Sequence, residues 1–432
     1  MSGQDKLLAL ETVAFWISLW PGFLKKTAAR AAGGLILSFS RTKKKTAWSN
    51  LRFAFPAFDY RTLRWIVKVY FGRFSLGALE LLEFYARRKN PRWILDRFEV
   101  RGAEPFFKCR SDGRPLIILS AHQGHWEGAA MVLGTRFPKD TAVLVKRQSP
   151  EWFFEALQNL RRAYAITTFD IETEILKAAH WLKMGKILII VGDQGLGMKN
   201  PEAPFLGRTV PTPDAAFRLA VMAKAVVLPG LTHREKDKWI LDAHPPLFDG
   251  ASEGNYLPAL RNWNDLLGRY IGRHPADYYW GFKRWKHCRE RNVLLLHDGS
   301  PGGRDIVLEF AALLRGELPE SVLTRDAGIT FKNSARRLIL QGLLGFRLDG
   351  VIPYFNLFPA FFKIDGEGIL RFPCQTIVAY GREAVAAAAA LKRLNGAKVI
   401  ALTKPPPWAF PYVDLKITAG EGGRNAPAGS AP

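Results

Sequence analysis

The 432-residue chain carries 62 Lys and Arg against 39 Asp and Glu, a formal charge of +23, and 48% of it is apolar. That length and apolar share support two or three packed domains and exclude a disordered chain. The charge calls for an anionic partner: nucleic acid, an anionic membrane or an acidic carrier protein.

The three cysteines, Cys109, Cys288 and Cys374, stand far apart with no metal-ligand spacing. They read as reduced thiols of a cytosolic compartment rather than a disulfide framework. Nothing in the chain calls for a metal or a cofactor. Residues 7–24 are largely apolar and hold Phe15, Trp16, Trp20 and Phe23, with Glu11 inside the run, Pro21 near its end and Lys25 and Lys26 behind it. Glu11 would be costly in hydrocarbon, and no small-residue cleavage site follows, so neither a clean span nor a signal peptide fits. An interfacial anchor helix over residues 1–45 fits better, with the aromatics at headgroup depth. The alternative is an ordinary core helix with a basic end. Residues 60–95 read as helical, with Trp65, Val69, Phe71, Phe74, Leu79, Leu82 and Tyr85 near three- and four-residue spacing.

From residue 96 the pattern alternates strand and helix, which predicts an α/β layer with a mostly parallel sheet. Phe98–Gly102 is a short strand. Leu116-Ile-Ile-Leu reads as a buried strand, Ser120–Gly124 as a turn, and Trp126 opens a helix. The strand delivers His122 to its carboxyl end, where α/β sheets place their chemistry. Glu127 follows five residues later. On one continuous helix that spacing leaves the two side chains about 140° apart, so they meet only if His122 precedes the helix. An imidazole held by a carboxylate is a general base. No Ser or Cys nucleophile stands in a recognisable elbow, so the base is expected to act on an external hydroxyl.

Thr141–Val145 is a further strand, ending in Lys146-Arg147. Glu174–Met184 reads as a helix, and Lys186–Val191 as a buried strand running into Gly192-Asp193-Gln194-Gly195. Asp193 at that position either orients a partner or caps the loop. Then follow Pro204-Phe-Leu-Gly207-Arg208 and Val210-Pro-Thr212-Pro, a helix over 214–223, strands over 225–229 and 239–244, and a helix over 257–273 with Pro258 in its first turn. The aromatic and basic stretch Tyr278–Lys286 closes this region.

A second unit begins near residue 291. Asn292–Leu296 is a buried strand, followed by a Gly-rich turn, a helix over 305–314, a strand over 375–380, an alanine-rich helix over 384–394 ended by Gly396, and a strand over 397–403. This is a Rossmann-like βαβ pattern. Its turn has neither a complete Gly-x-Gly-x-x-Gly nor a Lys-Ser/Thr, so it does not read as a nucleotide site. Glu421–Pro432, rich in Gly, Ala and Pro, reads as a flexible tail.

The ordered set His122-Gln-Gly-His125-Trp126-Glu127, Asp193-Gln194, Phe205-Leu-Gly207 and Thr212 resembles the lipid A biosynthesis acyltransferases, the lauroyl/myristoyl transferases. Lys43–Pro56 and Tyr279–Lys286 extend that resemblance, which covers about residues 1–290. Where the family usually carries asparagine before the tryptophan, this chain has His125. The resemblance implies transfer of a fatty acyl chain from an acyl-carrier-protein thioester to a hydroxyl of a lipid A precursor, at the cytoplasmic face of the inner membrane. It implies His122 as base with Glu127 holding it, and Arg147, Asp193, Gln194, Gly207, Arg208 and Thr212 binding substrate. An aromatic wall over 60–95 would face the acyl chain and the membrane, against the plain reading of that stripe as core. The C-terminal unit looks like the first half of the glycosyltransferase-like domain of mitochondrial-fission-type proteins, without the second half. The expected organisation is therefore an anchor over 1–45, an acyltransferase domain over 46–290, a Rossmann-like accessory unit over 291–418 and a tail over 419–432.

Two other readings stand beside this one. A phospholipid or glycolipid acyltransferase taking acyl-coenzyme A, of the phosphatidylinositol-mannoside type, shares the motifs. A basic, non-catalytic membrane-surface scaffold or nucleic-acid binder shares the charge, but it leaves the clustering of His, Glu, Asp and Gln at strand ends without a purpose. With the basic stretch at 278–286 matching the family, no nucleic-acid partner is expected.

Overall fold

In a computed structural model the described residues are 3–195, 200–288, 290–317, 322–345, 358, 360–365, 372–395 and 397–417. Gly396, expected to end a helix, and the tail over 419–432 lie outside them. The chain divides into two compact units, one of residues 1–37 and 64–287, the other of residues 38–63 and 288–432. The second boundary falls three residues from the expected one. The segment 38–63, expected in the first unit, clusters with the second.

The N-terminal region forms α1 (Gly3–Ser18) and α2 (Gly22–Phe39) rather than one helix. Pro21 supplies the break, since it has no N–H to continue α1 but is tolerated where a helix begins. No helix of the described residues is long and apolar enough to cross a membrane. α3 (Arg41–Ala54) belongs to the second unit, and α4 (Tyr60–Ala86) follows. In α4, Ile66, Val67, Tyr70 and Phe71 turn inward while Trp65 and Phe74 stay exposed, so the helical aromatic stripe is partly core and partly surface.

The first unit is built on β1 (Phe98–Arg101), α5 (Glu104–Ser111), β2 (Leu116–Ser120), α6 (Trp126–Arg136), β3 (Thr141–Val145), α7 (Glu151–Ala163), β4 (Ile166–Asp170), α8 (Ile175–Lys183) and β5 (Ile187–Val191). A hairpin of β6 (Glu202–Phe205) and β7 (Arg208–Pro211) precedes α9 (Ala215–Ala223), β8 (Val226–Glu235), β9 (Lys238–Ala243), β10 (Phe248–Asp249) and α10 (Leu257–Arg273). The main sheet runs in the order β1-β9-β8-β2-β5-β3-β4, with β10 on β8. β8, β2, β5, β3 and β4 are mutually parallel; β9 and β10 run antiparallel to β8, and the edge strand β1 runs parallel to β9. The central strands are continuous apolar runs because helices cover both faces of a parallel sheet. β2 has no exposed residue, and β5 only a half-buried one at its end. β5 inserts between β2 and β3, so the two strands carrying the motif residues are neighbours.

The second unit is an α/β layer on a mostly parallel sheet. Its sheet runs β13-β12-β11-β14-β15-β16, with β11 (Arg291–His297), β12 (Val322–Phe331), β14 (Thr376–Tyr380), β15 (Lys398–Ala401) and β16 (Leu415–Lys416) parallel and β13 (Phe362–Asp365) antiparallel at the edge. Helix Arg382–Asn395 buries Ala384 and Ala386–Ala390 almost completely, since methyl side chains let its backbone approach the sheet. α3 packs on this helix, and its Arg52 donates to the carbonyl of Phe372 at 3.2 Å.

Within the first unit α2 crosses α4 closely at Gly33. A Cβ there would lie 2.7 Å from the backbone N of Gly72 and the carbonyl carbon of Phe71. Gly33→Ala is therefore expected to cost about 1–3 kcal/mol by overpacking. Gly34→Ala, with open space around its Cβ, is expected to be neutral or slightly stabilising through helix propensity. Thermal unfolding of the two variants checks this.

Candidate active site

β2 and β5 pair in parallel with Ser120 opposite Val191. Two residues beyond each strand stand His122 and Asp193, so equal offsets from a parallel register bring them together. Nδ1 of His122 lies 2.7 Å from Oδ1 of Asp193, and the backbone N–H of His122 donates to the same oxygen at 3.1 Å. Asp193 is fully buried, whereas the His122 side chain keeps 25% of its surface. A carboxylate accepts only, so Nδ1 carries the proton and Nε2 is left as the acceptor for an incoming group. Trp126 and Tyr279 flank the imidazole, with ring centroids at 5.0 and 6.3 Å.

The turn is fixed by its surroundings. The backbone N–H of Tyr279 donates to the carbonyl of His122, and that of Gly124 to the carbonyl of Asp277, both at 2.8 Å. Gly124 has φ +60°, and a Cβ there would come within 2.5 Å of the Thr232 carbonyl. Only glycine meets both conditions. His125 closes the turn as the N-cap of α6, its Nδ1 accepting from the N–H of Gly128 at 3.0 Å. Asparagine, the family's usual residue there, is among the favoured N-caps, and the imidazole does the same work here. Burial among Phe84, Phe98 and Trp239 pushes the His125 pKa down and keeps the ring neutral.

Glu127 does not hold His122. No hydrogen bond joins them among the described residues. Instead both Glu127 oxygens accept from Arg161 of α7, at 2.6 and 3.2 Å, and Arg161 retains only 3% of its side-chain surface. Glu127 sits in the first turn of α6, two residues past the cap, where Arg161 reaches it from α7. Burial works against its charge, but Arg161 outweighs it by charge and hydrogen bonding, and His122 is close enough to add to the same effect. The carboxyl therefore stays below its usual range. Asp193 follows the same pattern: burial opposes the charge, while His122, by charge and hydrogen bonds, and then Arg284 hold the carboxyl below its usual range.

The remaining expected substrate binders divide. Gln194 stays beside Asp193, its side-chain Nε2 buried without a hydrogen-bond partner. Arg147 is exposed beyond β3 and forms a two-bond ion pair with Glu151, at 2.6 and 3.1 Å. Gly207, at φ +78°, and Leu206, at φ +47°, form the two-residue turn between β6 and β7, the positive-φ pair of a type I′ hairpin. Arg208 opens β7. Thr212 is fully buried and cannot touch a substrate from where it stands. Its hydroxyl oxygen accepts from Asn264 at 2.9 Å and from Arg284 at 3.2 Å.

These residues brace the site from behind. Arg284 also donates to the carbonyl of Pro211 at 2.6 Å and lies over the ring of Phe205, and burial lowers its pKa. Tyr278 is buried against Asp193; burial first, and that neighbouring charge second, push its phenol well above the usual range. The 278–286 stretch, whose aromatic and basic pattern raised nucleic-acid stacking, thus spends Tyr278, Trp280, Arg284 and Trp285 in the interior. Its match to the family motif was the available signal for Tyr278 and Arg284. Nothing in the sequence marked Arg161.

Residues 8–287 match the family described as bacterial lipid A biosynthesis acyltransferase. The chain belongs to that family. The match takes in the His122 turn, Asp193, the β6–β7 hairpin and the 278–286 stretch, and it ends where the first compact unit ends. No curated protein matches the chain. Family membership makes the first unit an acyltransferase of lipid A biosynthesis.

Because Arg161 is buried and loses its carboxylate partner in Glu127→Ala, that variant is expected to lose about 3–5 kcal/mol of stability. Denaturant unfolding measures it. Asp193 and Glu127 are both held lower folded than unfolded, so their stabilisation is complete above their ordinary range near pH 4 and is lost as pH falls from there through their lower folded values. Unfolding midpoints taken from pH 6 to 3 are expected to fall less steeply in Asp193→Asn than in the wild-type protein.

Proposed function

We propose that the first unit transfers a fatty acyl chain from an acyl-carrier-protein thioester to a hydroxyl of a lipid A precursor. The observation that carries this reading is the His122–Asp193 pair: a buried carboxylate on Nδ1 and a partly exposed imidazole whose Nε2 is left to accept a proton. The acceptor hydroxyl gives its proton to Nε2 as its oxygen attacks the thioester carbonyl. Asp193 fixes the tautomer and stabilises the imidazolium that forms. Glu127 adds negative charge at longer range. Backbone N–H groups meet the tetrahedral oxyanion; Arg147 would have to leave Glu151 to do so. As the intermediate collapses, the carbon–sulfur bond breaks and the thiolate takes the proton back from Nε2.

The reading extends to place and partners. The net charge of +23 suits both an acidic carrier protein and a phosphorylated acceptor. Phe15, Trp16, Leu19 and Phe23 are exposed around the bend between α1 and α2, and Phe39, Trp65 and Phe74 are exposed as well. Apolar and aromatic surface of that kind with lysines behind it suits attachment to the anionic cytoplasmic leaflet of the inner membrane. Acyl-coenzyme A remains the competing donor, because the residues around His122 act on the thioester and not on its carrier. The second unit, beyond the matched residues, is proposed as a binding or assembly module.

The test is transfer of labelled acyl chains from acyl-carrier protein to a Kdo-containing lipid A precursor. His122→Ala is expected to lose roughly 10²–10⁴-fold in turnover with unchanged unfolding. Asp193→Asn is expected to fall nearly as far, and Arg147→Ala to change little. Full activity in His122→Ala would remove the proposed base. Transfer from coenzyme A thioesters alone would reassign the donor.

A further inference from the structure

The first unit holds a cavity of about 360 Å³ at the bend between α1 and α2, closed by α4, by the segment around Trp93, and by β8 and β9. No residue flanking His122 lines it. Phe84 and Trp239 do, and their other faces pack on His125, so the cavity lies behind the catalytic turn.

Its charge is unbalanced. Lys25, Lys26, Arg87, Arg97 and Arg234 line it against Glu80, Glu83 and Asp237. Arg234 is matched by Glu80 at 2.8 Å, and Lys26 by Asp237. Among the described residues lining the cavity, Glu83 is the carboxylate that meets the other three cations, with Lys25 at 2.6 Å, Arg87 at 3.3 Å and Arg97 at 3.9 Å; Arg87 also donates to the carbonyl of Ser18. Lys25 and Glu83 are both buried. Arg87 and Arg97 also lie over the Trp93 ring, at 4.6 and 4.3 Å. One buried carboxylate among three cations leaves two positive charges over, on the half-exposed Arg87 and Arg97 beside the Trp93 indole, open to an anion from solvent. The first turn of α2, which carries Lys25 and Lys26 and no acid, adds the positive end of its dipole at Gly22. Guanidinium pairs and a helix N-terminus together suit phosphate oxygens. The rim is apolar: Leu19 lines the cavity and is exposed, beside Trp16 at 61% and Phe23 at 72% exposure.

We propose that this cavity binds the phosphate ester of a membrane amphiphile, with the phosphate on Arg87, Arg97 and Lys25 and the apolar part over the α1–α2 bend. The site is separate from acyl transfer, and its occupancy needs neither donor nor turnover.

The experiment is calorimetric titration of the full chain with dihexanoyl phosphatidylglycerol, inorganic phosphate and phosphate-free dihexanoylglycerol. Arg97→Gln/Lys26→Gln removes two partly exposed cations of the cavity without breaking the buried Lys25–Glu83 pair. Lys224→Gln/Arg269→Gln removes the same charge from exposed positions elsewhere. The phospholipid is expected to bind wild type, at least tenfold more weakly to the cavity variant, and unchanged to the control, with all three melting alike. Phospholipid binding tighter than that of inorganic phosphate assigns the source to lipid; equal binding of the two assigns it to free phosphate at the same site. Binding of neither phosphate compound, an unchanged affinity in the cavity variant, an equal loss in the control, or equal binding of dihexanoylglycerol would overturn the proposal.

Discussion

The parallel ladder between Leu116–Ser120 and Ile187–Val191 is the constraint on which the site depends. In a parallel pair, residues at equal offsets beyond matched positions stay side by side, so Ser120 opposite Val191 places His122 beside Asp193. A slip of one residue would exchange the faces of a strand whose whole surface is buried, which the helices on both sides do not allow. The bond between the two side chains therefore inherits the rigidity of the sheet. The turn that follows adds its own ties, at Gly124 to Asp277 and at His122 to Tyr279, so the imidazole is held from its backbone as well as through Nδ1.

The carboxylates divide the work by burial and by partner. Asp193 lies under the imidazole with Tyr278 and Arg284 behind it, where a fixed negative charge acts at close range through little water. Glu127 is spent on Arg161, and that pair locks α6 to α7 across the strand ends. Thr212, Asn264 and the β6–β7 hairpin hold Arg284 in turn. Motif residues distant from His122 thus bear on Asp193 through the buried charge of Arg284, which they hold in place.

The large positive charge is not spread evenly in its effect. Much of it is matched at the surface by single carboxylates, in pairs worth little each. Around Glu83 it is concentrated, beside the bend that Pro21 imposes and the apolar side chains that bend leaves exposed. Helix break and exposed aromatics arise from one short stretch, Trp16 to Lys26, and the fold brings Arg87 and Arg97 beside it to make the charge surplus.

Much of this was legible in the residues. Continuous apolar runs at 116–119 and 187–191 announced central strands, the small-residue turns announced their carboxyl ends, and Pro258 announced the start of α10. The strand β4 was less visible, since Thr167 and Thr168 interrupt its apolar run at the sheet edge. The ordered motifs carried the family. The choice of partner for His122 was not legible, because sequence spacing favoured the near carboxylate, Glu127, over one 71 residues away. Likewise Thr212 and Gly207 read as substrate contacts because they belong to the motif, although burial makes one a brace and a positive φ makes the other a turn. By itself the sequence determined the central strands, the turns after them and the family, since these rest on local periodicity and residue type. Only the tertiary structure decided which strand lies beside β2, and with it which carboxylate meets the imidazole, because strand order is set by long-range packing that no local pattern records.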